Sequence, residues 1–186
     1  MNIQHRLQLI KEQQRAFING SIEYIGDEWI FFDDEDDVAS NFEDIVQDEF
    51  EIWLMDRWLK GSIIESGVVE LSKFTYFLQH GDKVRINKKL LLNYSELLQS
   101  LNEESFIRFI HCLNQLSFSM YDCIYSHNVL SFFEMNNTNA EGVNFLIFDN
   151  LETICNVQHH FFRGSHSTDR FEYTTSSGKR LLSQHI

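Results

Sequence analysis

The chain has 186 residues, 43% of them hydrophobic and 14% aromatic, and contains no proline. Its formal net charge is −13. So much apolar material excludes a disordered chain and supplies a sizeable core, arranged as one domain or two small ones.

The charge is unevenly placed. Asp27–Asp56 carries 13 acidic residues and neither Lys nor Arg, and the other 15 acidic residues offset the chain's 15 basic ones. Such a segment repels duplex nucleic acid and anionic membrane, so neither is expected as a partner. The opening MNIQHRLQLIKEQQRAF lacks the apolar stretch and small-residue cleavage site of a secretory signal. No run of about eighteen apolar residues occurs, so no spanning helix is expected. Cys112, Cys123 and Cys155 are odd in number, widely spaced and without a CxxC pair. That fits reduced thiols of a cytoplasmic protein better than a disulfide framework.

In chain order, Ile3, Leu7 and Ile10 recur at helical spacing and predict a short helix over residues 3–14. AFINGSIEYI and EWIFF flank a Gly26-Asp27 turn, and FEIWLM and WLKGSII flank Asp56-Arg57, so two hairpins are expected. VVEL, KFTYFL and KVRI follow. Five or six short strands in so little chain predict a small, strongly curved barrel or rolled sheet, SH3-like or OB-like. From Asn87 the period changes. Leu90, Tyr94, Leu97, Leu98 and Leu101 mark an amphipathic helix, and Asn102 before Glu103-Glu104 caps the start of another. A further helix is expected over 119–132, then a loop at MNNTNAEG. VNFLIFD, ETICNVQHHFF, RFEYTT and RLLSQH, separated by short turns, predict a four-stranded antiparallel meander.

RLQLIKEQQRAFINGSIEYIGDEWIFFDDE, MYDCIYSHNVLSF and NFLIFDNLETICNVQHHFFRG together resemble a family of small intracellular proteins of endospore-forming Gram-positive bacteria, a domain of unknown function. The resemblance covers nearly the whole chain. It implies a bacterial cytoplasmic protein and brings with it no activity, cofactor or catalytic residue.

Two groups of residues carry candidate chemistry. The first is Asp33, Asp34, Glu35, Asp36 and Asp37, because hard cations take several carboxylate oxygens. A calcium loop beginning at Asp33 needs Gly at its sixth position and Glu at its twelfth, and finds Val38 and Asp44. The stretch is expected instead to be a solvated face pinned by Phe42, Ile45 and Val46, with docking of a basic protein partner as the other reading. The second group is Cys155, His159, His160 and His166. Strand alternation puts Cys155 and His159 on one face and His160 on the other. A hairpin returning His166 toward them would make a Cys/His or His/His pair. Catalytic zinc takes three protein ligands, however, and neither HExxH nor CxxC is present.

Ser165-His166-Ser167 beside Asp169 holds the letters of a triad without its spatial assembly, and no GxSxG, GxxxxGK[ST] or GxGxxG occurs. Tyr24, Trp29, Trp53 and Trp58 have the chemistry of base-stacking platforms, but they lie in or beside the acidic segment and are expected to pack.

The sequence thus predicts an α+β protein. Residues 1–87 form an N-terminal helix and a small β-barrel, and residues 88–186 a helical pair followed by the meander, with no long linker between. The expected function is a non-enzymatic cytoplasmic interaction or regulatory protein with a basic protein partner, without cofactor or metal. The alternative is a metal-dependent or thiol enzyme using the Cys155/His159/His166 region. Nothing in the pattern sets an oligomeric state.

Overall fold

The structure, a computed structural model, describes residues 6, 8–10, 12–35, 38–46, 49–130 and 140–185. Its contacts cluster into two compact units, Phe17–Lys88 and Met1–Ala16 with Lys89–Ile186.

The first unit is built from strands β1 (Phe17–Ile25), β2 (Glu28–Asp33), β3 (Ala39–Asn41), β4 (Phe50–Leu54), β5 (Arg57–Glu65), β6 (Val68–Leu71), β7 (Phe74–Phe77) and β8 (Asp82–Asn87). One short helix, α1 (Phe42–Ile45), interrupts them, capped by the Asn41 side chain. The two expected hairpins are present. Gly26-Asp27 and Met55-Asp56 all have positive φ, the two-residue loops whose twist suits antiparallel strands. Beside each loop sits an aromatic cross-strand pair, Tyr24–Trp29 and Trp53–Trp58, each with ring centroids 5.2 Å apart.

The sheet order is β3-β2-β1-β8-β4-β5-β6-β7. Where a small SH3-like or OB-like barrel was expected, the hydrogen bonding among the described residues gives an open eight-stranded sheet ending in β3 and β7. Its curvature is nonetheless strong. Phe31 on β2 and Val69 and Leu71 on β6 stand five places apart in the sheet yet share one core with Phe42, Phe50, Ile52 and Val84. Gly67 (φ +75°) sits where an added Cβ would come within 2.8 Å of the Trp29 indole nitrogen, so the backbone there must stay bare for the roll to close on its core.

The second unit pairs helices α2 (Leu92–Ser100) and α3 (Glu103–Gln115) with strands β9 (Cys123–His127), β10 (Ala140–Asp149), β11 (Ile154–Arg163), β12 (Thr168–Thr175) and β13 (Arg180–His185). The sheet order is β13-β12-β11-β10-β9, every neighbour antiparallel. The four expected meander segments are β10–β13. A core of Tyr94, Leu97, Phe109, Leu113, Phe148, Val157 and Phe171 fills the space between helices and sheet.

Two expectations change in this unit. Residues 119–127 are one 3-10 turn, Met120–Asp122, and then β9, rather than the start of a helix over 119–132. Ser119 and Asp122 cap each other's backbone, the Arg15 guanidinium clamps the Asp122 carboxylate at 2.6 Å, and Ile124 and Tyr125 are strand formers. Residues 131–139, and with them the end of that helix and most of the MNNTNAEG loop, lie outside the described residues, while Ala140–Gly142 begin β10. Of the helix expected over 3–14, residues 6 and 8–10 are helical, and Ile3 and Leu7 lie outside the described residues. Leu9 and Ile10 pack on the second core, and Arg6 lies 4.6 Å over the Phe106 ring while donating to the Leu98 and Leu101 carbonyls. These contacts group the N-terminal segment with the second unit.

Candidate functional site

Alternation along β11 turns Cys155, Val157, His159 and Phe161 inward and leaves His160 on the opposite face. Cys155 and His159 are both fully buried, but four residues of strand separate their Cα atoms by about 13 Å. His166 is exposed in the loop between β11 and β12. The Nε2 atom of His160 lies 3.6 Å from Glu172, beyond hydrogen-bond reach. The fold therefore does not bring the four side chains together. Burial pushes the Cys155 thiol up to about 11, which leaves almost no thiolate at neutral pH. Among the described residues no three His, Cys, Asp or Glu side chains gather as a metal-ligand set.

His159 has other partners. Its Nε2 atom is 2.8 Å from Oδ1 of Asp169, and its ring stacks on Phe171 at 4.4 Å and 13°. Its Nδ1 atom is 3.2 Å from the Asn144 amide nitrogen. The orientation of Asn144 is set independently, because its Oδ1 accepts the Val129 N–H at 2.7 Å. Nδ2 of Asn144 must then donate, and Nδ1 of His159 must accept. The imidazole is thereby held neutral with its proton on Nε2, where it donates to Asp169. Burial lowers its affinity for a second proton, outweighing the pull of Asp169.

Asp169 is 1% exposed and accepts from three sides: His159, Arg163 at 2.6 Å and the Ser105 hydroxyl at 2.7 Å. Burial alone would raise its carboxyl, but these donors overcome it and hold it at about 2. Arg163 supplies the balancing charge. The serine donates to the aspartate rather than to the histidine, and its side chain is buried. The triad letters are present, but the order required to activate a nucleophile is not. What the arrangement does is fasten α3, β12, β11, β10 and the segment after β9 to one another. Sequence reasoning missed Asp169 as the partner of His159. The signal was available, since a short hairpin after β11 puts Asp169 inward with Phe171 and Tyr173.

The acidic stretch is organised differently. Asp34 and Glu35 are exposed at the turn after β2, and the Asp33 carboxylate accepts the Glu35 N–H at 2.7 Å, while Asp36 and Asp37 lie outside the described residues. Glu43, Asp44 and Glu49 point to solvent, whereas Phe42 and Val46 are buried and Ile45 packs against the same core. The Phe17–Lys88 unit holds 17 acidic and 6 basic residues, and the remainder 11 and 9. Of the aromatic side chains expected to pack, Trp29 is buried and Trp58 half-buried, whereas Tyr24 and Trp53 are 50% and 40% exposed beside their hairpin loops. Arg85 lies between the rings of Phe17 and Trp58, at 4.0 and 4.5 Å, and is ion-paired with Glu51.

Two antiparallel sheets, one rolled about its own core and one covered by a helical pair, define a strand-rich α+β protein. None of its described helices is long and apolar enough to cross a membrane. The chain belongs to the DUF2777 family of proteins of unknown function, whose profile matches residues 4–185. It is similar to the uncharacterized protein YisN of Bacillus subtilis (strain 168), with 33% identity over 135 residues, which span 70% of this chain and 68% of that protein. No solved structure matches it.

Proposed function

We propose that this is a non-catalytic interaction protein of the cytoplasm that docks a basic protein partner on the acidic stretch of the Phe17–Lys88 unit. The observation carrying the reading is the division of labour within that stretch. Its apolar side chains, Phe42, Ile45 and Val46, go into the core, while Asp34, Glu35, Glu43, Asp44 and Glu49 face outward around them. A surface of one sign held on a rigid support raises the encounter rate with an oppositely charged surface and rejects like-charged ones. The side chains with most chemical potential, His159, Asp169 and Cys155, are occupied in packing, which supports a binding role over a chemical one.

The test is a titration of the isotope-labelled full chain with a lysine- and arginine-rich peptide, followed by amide shifts. Shifts clustered at residues 33–35 and 43–49 and reversed by salt are expected. Shifts centred on the Lys89–Ile186 part, or none at low salt, contradict the reading.

A further inference from the structure

A second surface, of different sign and shape, lies at one edge of the five-stranded sheet. β13 is a terminal strand, and α3 runs beside it. Between them is a groove of about 630 Å³, walled by Ile107, Arg108, His111, Cys112 and Gln115 of α3 and by residues 181–184 of β13.

The register of the last hairpin fixes which backbone groups face out. The Thr175 N–H bonds to the Lys179 carbonyl, and β12 pairs with β13 as Tyr173↔Leu181 and Phe171↔Ser183. In an antiparallel ladder, hydrogen-bonded and non-bonded pairs alternate. Leu181 and Ser183 therefore turn their N–H and C=O toward β12, and Arg180, Leu182 and Gln184 turn theirs outward. Arg108 bears this out by donating to the Gln184 carbonyl at 3.0 Å from outside the sheet. Among the described residues, the outward groups of Arg180 and Leu182 and the N–H of Gln184 form a short strip of unpaired strand edge beside the groove. The lining includes Arg108, which is ion-paired with Glu104, and His111, and Lys179 and Arg180 stand at the strip's entrance as the cations that select for acidic side chains. Ile107 and Leu182, 44% and 62% exposed, flank it with apolar surface.

We propose that this groove binds an extended acidic peptide segment, which adds to β13 as a sixth strand. Main-chain bonds to Leu182 and Gln184 would hold the segment. Alternate side chains would enter the groove against Ile107 and Leu181, and the acidic ones between them, on the opposite face of the sheet, would meet Arg180, with Lys179 at the entrance. A helix beside an open strand edge is suited to this mode, since the edge supplies affinity and the groove supplies selection. The surface is distinct from the acidic stretch and selects a partner of opposite charge.

The probe is a short peptide of alternating Val and Glu, titrated into the labelled full chain, with a Val/Lys peptide as control. Shifts and slowed amide exchange are expected at Leu182 and Gln184, with weaker binding of the control. L182P removes an outward N–H without removing a β12–β13 ladder bond, and should lower affinity about tenfold. Ile107→Glu, on the helix surface, should do the same by charge and bulk, and keeps the test decisive if L182P does not fold. Protection at β9 instead, equal binding of the Val/Lys peptide, or unchanged affinity in Ile107→Glu overturns the proposal. Self-association that protects the same amides without peptide overturns it in favour of a second copy of the chain.

Discussion

Asn144 donates to Nδ1 of His159 because its own carbonyl oxygen is committed to the Val129 N–H. A proton added at Nδ1 would face the Asn144 amide nitrogen, two donors with no acceptor between them. Relief requires turning Asn144 over, which strands the Val129 N–H.

His159 should therefore stay neutral, with its proton on Nε2, as pH falls below the ordinary histidine range. The groups facing it are Asp169 from β12, Arg163 from β11, Ser105 through Asp169 from α3, and Asn144 from β10, while its neighbour His160 acts from the opposite face of the sheet. Its folded-state value is lowered, so its contribution to stability is complete above about 6.5 and declines as pH falls below that, where the unfolded chain takes a proton the native state refuses. Asp169 extends the decline, since its contribution is present above about 4 and is lost as pH falls toward about 2. Nitrogen shifts of His159 and denaturant unfolding across pH check this. An imidazole titrating at the ordinary value contradicts it.

Asn144→Asp replaces the donor at Nδ1 with an acceptor. The expected outcome is the reverse protonation behaviour, a His159 held doubly protonated between two carboxylates with its titration moved upward. Asp169→Ala leaves Arg163 uncompensated and should cost about 3–5 kcal/mol in unfolding experiments.

Phe42 is fully buried and meets the Phe50 ring edge-on at 5.0 Å. Phe42→Ala should destabilise the protein by about 3 kcal/mol, whereas Asp34→Asn with Glu35→Gln should stay within about 0.5 kcal/mol of the parent. Thermal unfolding compares them. Loss of folding in the neutralised variant with Phe42→Ala unaffected would show that the carboxylates carry structure.

Cys155 should resist alkylation in the folded chain at mildly alkaline pH and react once the chain is unfolded, because its thiol is both buried and raised to about 11. Rapid labelling of native Cys155, read by mass spectrometry, would restore the thiol-enzyme alternative.

The elements with local signals were legible in the sequence. Gly26-Asp27 sets a hairpin by its backbone, Asn102 caps α3, and the alternation in β11 assigns each inward side chain. Closure of the first sheet was not legible, because whether β3 meets β7 depends on curvature accumulated over eight strands and on no single residue. The strand β9 was not legible, because it takes its conformation from pairing with β10, more than fifteen residues on. The acidic stretch was legible as a surface because Phe42 and Val46 punctuate it. The inward side of Asp169 was legible from its alternation with Phe171 and Tyr173, whereas its pairing with His159 needs the hairpin register as well.

The central claim is docking of a basic partner on the acidic stretch, and its most direct test is the association rate of a partner recovered at low salt. The rate should be compared between the parent chain and one carrying Asp34→Asn, Glu35→Gln, Glu43→Gln and Glu49→Gln. The screening length shrinks from about 10 Å at 0.1 M salt to about 3 Å at 1 M. The association rate should accordingly fall steeply with added salt and fall again in the neutralised chain, with dissociation little changed, since exposed charges at the rim steer encounters more than they hold a complex. An association rate indifferent both to salt and to these substitutions would contradict the claim and reduce the acidic stretch to a solubilising surface.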